Sequence, residues 1–112
     1  MLADLGPQLE VGNMFSVAGK NVLVTGGARG IGLMIAAGFA MNGARVAISS
    51  RDVEANEAAV VKLAEIGVGI GKDAFCVPAD LSDKGEVERV AAEVGEKFGG
   101  KIHCLVRPAT CP

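Results

Sequence analysis

Eight residues, Thr25 to Gly32, read TGGARGIG and stand between two apolar runs. This stretch has the makings of a phosphate cradle. The first turn of a helix exposes unpaired amides and the positive end of the helix dipole, and both attract a pyrophosphate. Glycines let the backbone turn sharply and let a phosphate approach with no Cβ in the way. The spacing is T-G-x-x-x-G-x-G, carried by Gly26, Gly30 and Gly32, with Ala28 where a G-x-G-x-x-G loop would have its second glycine. A second group follows another apolar run, in the segment AISSRD. Ser50 can hydrogen-bond a phosphate there and Arg51 can neutralise it. Arg29, inside the glycine loop, is a further cation.

The other chemistry-bearing residues point to less. His103 is the only histidine and reads as a strand residue, not a catalytic base. Cys76, Cys104 and Cys111 are odd in number and form no C-x-x-C pair, so a disulfide scaffold and a zinc site are both poor readings. They read as two buried small apolar residues and one tail thiol. The sequence contains no tyrosine.

The elements needed to place these groups are legible in order. Residues 1–16 show little periodicity and are expected to be a flexible arm. Lys20–Thr25 is a continuous apolar run, as suits a parallel strand buried on both faces. Gly30–Asn42 reads as a buried helix stopped by Gly43, and Arg45–Ser49 as a second strand. Asp52 is the expected cap of a helix over residues 53–66, with Gly67 ending it. VGIGKD reads as a loop and AFCV as a third strand ended by Pro78. Ser82 or Asp83 can cap the next helix, with Glu86 completing a capping box to Asp83. Val87, Val90, Ala91, Val94 and Phe98 fall on one face of that helix, Gly99 and Gly100 close it, and KIHCLV is a fourth strand. The alternation predicts a doubly wound parallel sheet of Rossmann type, with helices on both faces in three α/β/α layers.

Strand, glycine turn and helix in this order resemble the cofactor-binding half of the short-chain dehydrogenase/reductase family, whose motif is T-G-x-x-x-G-I-G. The resemblance runs from about Phe15 to Val106 and includes CVPADLSD after the third strand as well as KIHCLV. It implies a strand order of 3-2-1-4 for residues 17–106, a half-domain that binds a nicotinamide dinucleotide. It implies a cofactor site at Gly26, Ala28, Arg29, Gly30, Ile31, Gly32, Ser50, Arg51, Asp80 and Leu81, with Asp80 where the family's aspartate touches the adenine ring. Ser50 stands where NAD-binding members carry an acidic residue that takes the ribose 2′-hydroxyl. Ser50, Arg51 and Arg29 together therefore favour NADP(H) over NAD(H), and Asp52 reads as a helix cap.

The family's chemistry is hydride transfer between the nicotinamide and a carbonyl or alcohol, with a tyrosine as general acid/base, a lysine four residues later and a serine on the substrate oxygen. No residue of this chain maps onto that catalytic set, because Y-x-x-x-K is absent. The tail RPATCP, residues 107–112, departs from the family's N-N-A-G turn. The expectation is a truncated member whose last six residues are out of frame or mis-spliced, inactive alone and poorly soluble through an open edge strand. A non-catalytic nucleotide-binding or regulatory module is the alternative. A methyl-donor site is disfavoured by SSR after the second strand.

A net charge of −2 gives no electrostatic reason to expect nucleic acid or an anionic membrane as partner. No basic leader stands before Lys20, and no apolar stretch approaches the roughly 20 residues that span a bilayer, so a cytoplasmic protein is expected. A small-molecule substrate is expected only of a full-length form, and the oligomeric state is not readable.

Overall fold

A computed structural model describes residues 17–107. The proposed arm and residues 108–112, Cys111 among them, lie outside the described residues. In chain order the elements are β1 (Asn21–Thr25), α1 (Gly30–Met41), β2 (Arg45–Ser49), α2 (Val53–Ile66), a 3-10 turn (Gly69–Lys72), β3 (Phe75–Cys76), α3 (Lys84–Lys97) and β4 (Cys104–Val106). The strands form one parallel sheet in the order β3-β2-β1-β4, the order implied by the resemblance. Val22 lies opposite Val46 on one side and Cys104 on the other, and Leu23 lies between Ala47 and Leu105.

Successive strand residues point to opposite faces of the sheet. Val22, Val24, Val46 and Ile48 pack against Ala36 and Ala40 of α1 and Ala59 and Leu63 of α2. Leu23 and Ala47 pack on the other face against Val90, Val94 and Phe98. β1 and β2 are buried on both faces, so these two strands read as unbroken apolar runs. The result is a Rossmann-type doubly wound sheet in three layers. Among the described residues no helix is long and apolar enough to cross a membrane.

Several boundaries differ from expectation for local reasons. The pairing of β3 covers two residues, yet Val77 still donates to Ile48 and Ala79 to Ser50, so the chain runs on beside β2. β4 begins at Cys104 because Lys101–His103 serve another purpose. The Asn21 amide donates to His103 Nδ1 at 2.9 Å, and the Asn21 side chain reaches the Phe98 and Lys101 carbonyls. His103 is thus a structural acceptor at the start of β1.

VGIGKD holds a 3-10 turn where a loop was expected. Asp83, not Ser82, caps α3, accepting from the Gly85 amide at 2.9 Å. Glu86 forms no capping box with Asp83 and instead takes Arg89 at 2.8 Å. Only Val90, Val94 and Phe98 of the expected apolar face are buried, because α3 meets the sheet along one i, i+4, i+8 line. Val87 and Ala91, to the side of that line, stay exposed. Cys76 and Cys104 are half-buried, not fully buried as expected, and burial pushes the Cys76 thiol up.

Candidate functional site

A parallel sheet directs the carboxyl ends of all its strands, and the turns after them, to one edge. Two adjoining concavities open there and share Gly26, Ser50 and Arg51. The smaller, of about 230 Å³, is completed by Ala28, Arg29 and Asp52. The larger, of about 470 Å³, is reached by Thr25, Asp80, Leu81, Ser82 and Arg107. Seven of the ten sequence-predicted site residues therefore line one continuous cleft. The other three, Gly30, Ile31 and Gly32, form the first turn of α1 beside it.

The glycine turn explains itself residue by residue. Gly26 and Gly30 have φ of +68° and +55°, the left-handed region where a side chain brings strain. A Cβ on either would point into open space, so the requirement is conformational and the surface beside the turn is bare. Gly32 is different: its Cβ would lie 2.0 Å from the Gly26 carbonyl oxygen. Absence of that Cβ lets α1 dock directly beneath the turn. Gly27 was not singled out from the motif, yet its Cβ would meet Ile48 Cγ2 at 2.6 Å. The doubled glycine in TGG was the only available signal for it.

The first backbone bond of α1 runs from the Leu33 amide to the Arg29 carbonyl, at 3.2 Å. The amides of Gly30, Ile31 and Gly32 precede it and have no partner in the helix. Asp52 and Asp83 cap α2 and α3 with their side chains, whereas Arg29 at the start of α1 provides no such cap and no acid stands in the first turn. That end of α1 is left electropositive.

The turn after β2 is held by a reciprocal pair. The Ser50 hydroxyl donates to Asn56 Oδ1 at 2.6 Å, and Asn56 Nδ2 donates to the Ser50 carbonyl at 3.1 Å. Asn56 is fully buried. Ser50 therefore turns its proton toward Asn56 and offers the cleft only oxygen lone pairs, leaving Arg51 as the donor at this wall. Asn56 was not anticipated, since a polar residue inside an apolar helical pattern carries no mark of its partner.

Asp80 is organised by its neighbour two residues on. Its Oδ1 accepts from the Ser82 hydroxyl at 2.6 Å and the Ser82 amide at 3.0 Å. These bonds, helped by the charge of Arg51, hold the Asp80 carboxyl below the usual carboxylate range. Arg29 and Asp52 form an ion pair across the smaller concavity. Asp52 is the helix cap the sequence suggested, accepting from the Ala55 amide at 3.0 Å. Arg107 also lines the larger concavity; its place in a divergent tail concealed this.

A family described as short chain dehydrogenase matches residues 20–112. The chain is 46% identical over 95 residues to a rhamnolipids biosynthesis 3-oxoacyl-[acyl-carrier-protein] reductase of Pseudomonas aeruginosa, a match covering 85% of this chain and 35% of the relative. It is 43% identical over 102 residues to an L-rhamnose 1-dehydrogenase (NADP(+)) of Thermoplasma acidophilum, covering 88% and 38%. Among solved structures it resembles the Pseudomonas aeruginosa RhlG/NADP active-site complex, with a TM-score of 0.76 and 42% identity over 87% of this chain and 37% of that one. A short-chain type dehydrogenase/reductase from Mycobacterium ulcerans gives a TM-score of 0.79 at 32% identity, over 87% and 34%. The chain spans little more than a third of the length of the curated relatives it matches. A sheet ordered β3-β2-β1-β4, a left-handed glycine turn under a bare helix end and this match over most of its length make one conclusion: the chain belongs to the short-chain dehydrogenase family.

Proposed function

We propose that this chain is the NADP(H)-binding part of a cytoplasmic short-chain oxidoreductase. The observation that carries the reading is the pairing of an uncapped α1 with guanidinium groups on the turns after β1 and β2. The fit to a dinucleotide is physical. Bare glycines at 26 and 30 leave room for a pyrophosphate, and the free amides of Gly30, Ile31 and Gly32 are donors for it. Arg51 and Arg29 suit a 2′-phosphate, with Ala28 and Ser50 as the wall between them. The nearest acid, Asp52, is engaged by α2 and Arg29 and so is a poor ribose acceptor. Asp80 and Leu81 would border the adenine. The name of the Thermoplasma relative and the ligand of the RhlG structure support the same choice.

NADP(H), when bound, supplies a hydride for exchange with a carbonyl or alcohol. The proton donor that such chemistry needs is not a tyrosine of these residues, since there is none. We therefore expect the 112-residue chain to bind the nucleotide without turning over a substrate. Fluorescence titration with NADPH and NADH tests this directly. NADPH binds more tightly, and Arg51→Ala weakens NADPH about ten-fold or more, the worth of one charge-assisted hydrogen bond, while changing NADH little. Equal losses for the two nucleotides would show that Arg51 does not read the phosphate.

A further inference from the structure

Asp52 does two things at once at the mouth of the smaller concavity. Its Oδ1 caps α2 through the Ala55 amide at 3.0 Å, and its Oδ2 accepts from Arg29 Nη2. The ion pair ties the turn after β1 to the turn after β2, over a concavity otherwise walled by Gly26, Ala28, Ser50 and Arg51. The Arg29 and Asp52 side chains are 74% and 43% exposed, so neither is locked in place by burial. A phosphate entering this concavity meets two guanidinium groups and one carboxylate. That carboxylate opposes it in two ways. It repels the phosphate through space, and it competes for Arg29.

We propose that Asp52 is a specificity-determining residue that restrains NADP(H) affinity by holding Arg29 across the cleft. The inference rests on the cofactor reading above and adds a role for a residue that otherwise reads as a helix cap. The ribose 2′-hydroxyl of NAD(H) is uncharged and makes no comparable demand on Arg29. Asp52 therefore narrows the gap between the two nucleotides, a repulsive element set beside the attractive ones.

Asp52→Asn separates the roles, because asparagine caps a helix as well as aspartate does but carries no charge. Thermal melts of the parent chain and the variant check that the cap survives. NADPH and NADH are then titrated into both at low salt. The expected result is NADPH tightened about five-fold, an advantage that shrinks as salt screens the charges, with NADH unmoved. In the Asp52→Asn background, Arg29→Ala should cost about three-fold more in NADPH affinity than in the parent, because the freed guanidinium now serves the phosphate alone. NADPH affinity unchanged or weakened by Asp52→Asn would overturn the inference. So would selective loss of NADH, which would make Asp52 a ribose acceptor. Failure of the parent chain to bind NADPH at all would overturn the cofactor reading itself, and this inference with it.

Discussion

Ser50 and Asn56 show how a single buried amide sets a binding surface. Asn56 sits inside α2, yet both of its side-chain hydrogen bonds go to Ser50, and they fix where the turn after β2 presents Arg51. Asn56→Ala removes both bonds, leaving the Ser50 carbonyl with the Ala79 amide alone and the Ser50 hydroxyl without its acceptor. We expect a loss of about 2–3 kcal/mol by urea unfolding, with NADPH affinity falling along with it. Asp80 gives the pH dependence at this scale. Its folded pKa is depressed, chiefly by the Ser82 hydroxyl and amide. The order it lends the turn after β3 is therefore present above the ordinary carboxylate pKa and is lost as pH falls through the lower folded value. Ser82→Ala removes the hydroxyl bond, so the Asp80 midpoint followed by NMR should rise toward that of a free aspartate. An unmoved midpoint would transfer the effect to the Ser82 amide, which the substitution keeps, and to Arg51.

At the scale of elements, close approach of backbone decides more than side-chain attraction. The carbonyl of Ala40, in the last turn of α1, accepts from the amides of Gly43 and Val68 at 3.1 and 3.0 Å. The 3-10 turn packs onto it so tightly that a Cβ on Gly71 would lie 2.1 Å from that oxygen. Gly67 ends α2 at a φ of −64°, so a left-handed cap is not its reason. Its Cβ would sit 2.3 Å from the Gly71 carbonyl oxygen. Gly71→Ala and Gly32→Ala should each cost about 3 kcal/mol by overpacking against backbone, read from chemical denaturation. They differ in their second readout. Gly32→Ala also weakens NADPH binding by the molecules that remain folded, because it shifts α1 from the glycine turn, whereas Gly71→Ala leaves their affinity unchanged. Asp83→Ala removes the cap of α3 and should cost about 1 kcal/mol.

At the scale of the molecule, one half of the sheet is better covered than the other. α1 and α2 lie on one face and α3 alone on the opposite one. Leu105 of β4 is on the α3 face, in register with Leu23, and is 63% exposed. Among the described residues β4 pairs only with β1, so this apolar side chain stands on an edge strand. Such edges invite pairing with another chain. Leu105→Lys should reduce self-association of the 112-residue chain in sedimentation velocity, with little change in its unfolding midpoint. A parent chain that is monomeric throughout would remove the reason for the effect.

The sequence by itself determined the parts of this protein that depend on local chemistry. Buried parallel strands need unbroken apolar runs, which marked β1 and β2. An aspartate before a helix can satisfy an otherwise unpaired amide, which marked Asp52 and one of the two candidates for α3. A left-handed turn needs glycine, which marked Gly26 and Gly30. What depends on neighbours distant in the chain was decided by tertiary structure alone. Nothing near Arg29 in the sequence announces Asp52 as its partner 23 residues away. Gly71 reads as loop until Ala40 is brought against it, and Val87 reads as core until α3 meets the sheet along too narrow a line to bury it. The same separation holds at the site. The glycine motif marked where a phosphate can sit, but only the fold brought Arg51, Asp80 and Arg107 to one cleft, because parallel strands carry every following turn to the same edge.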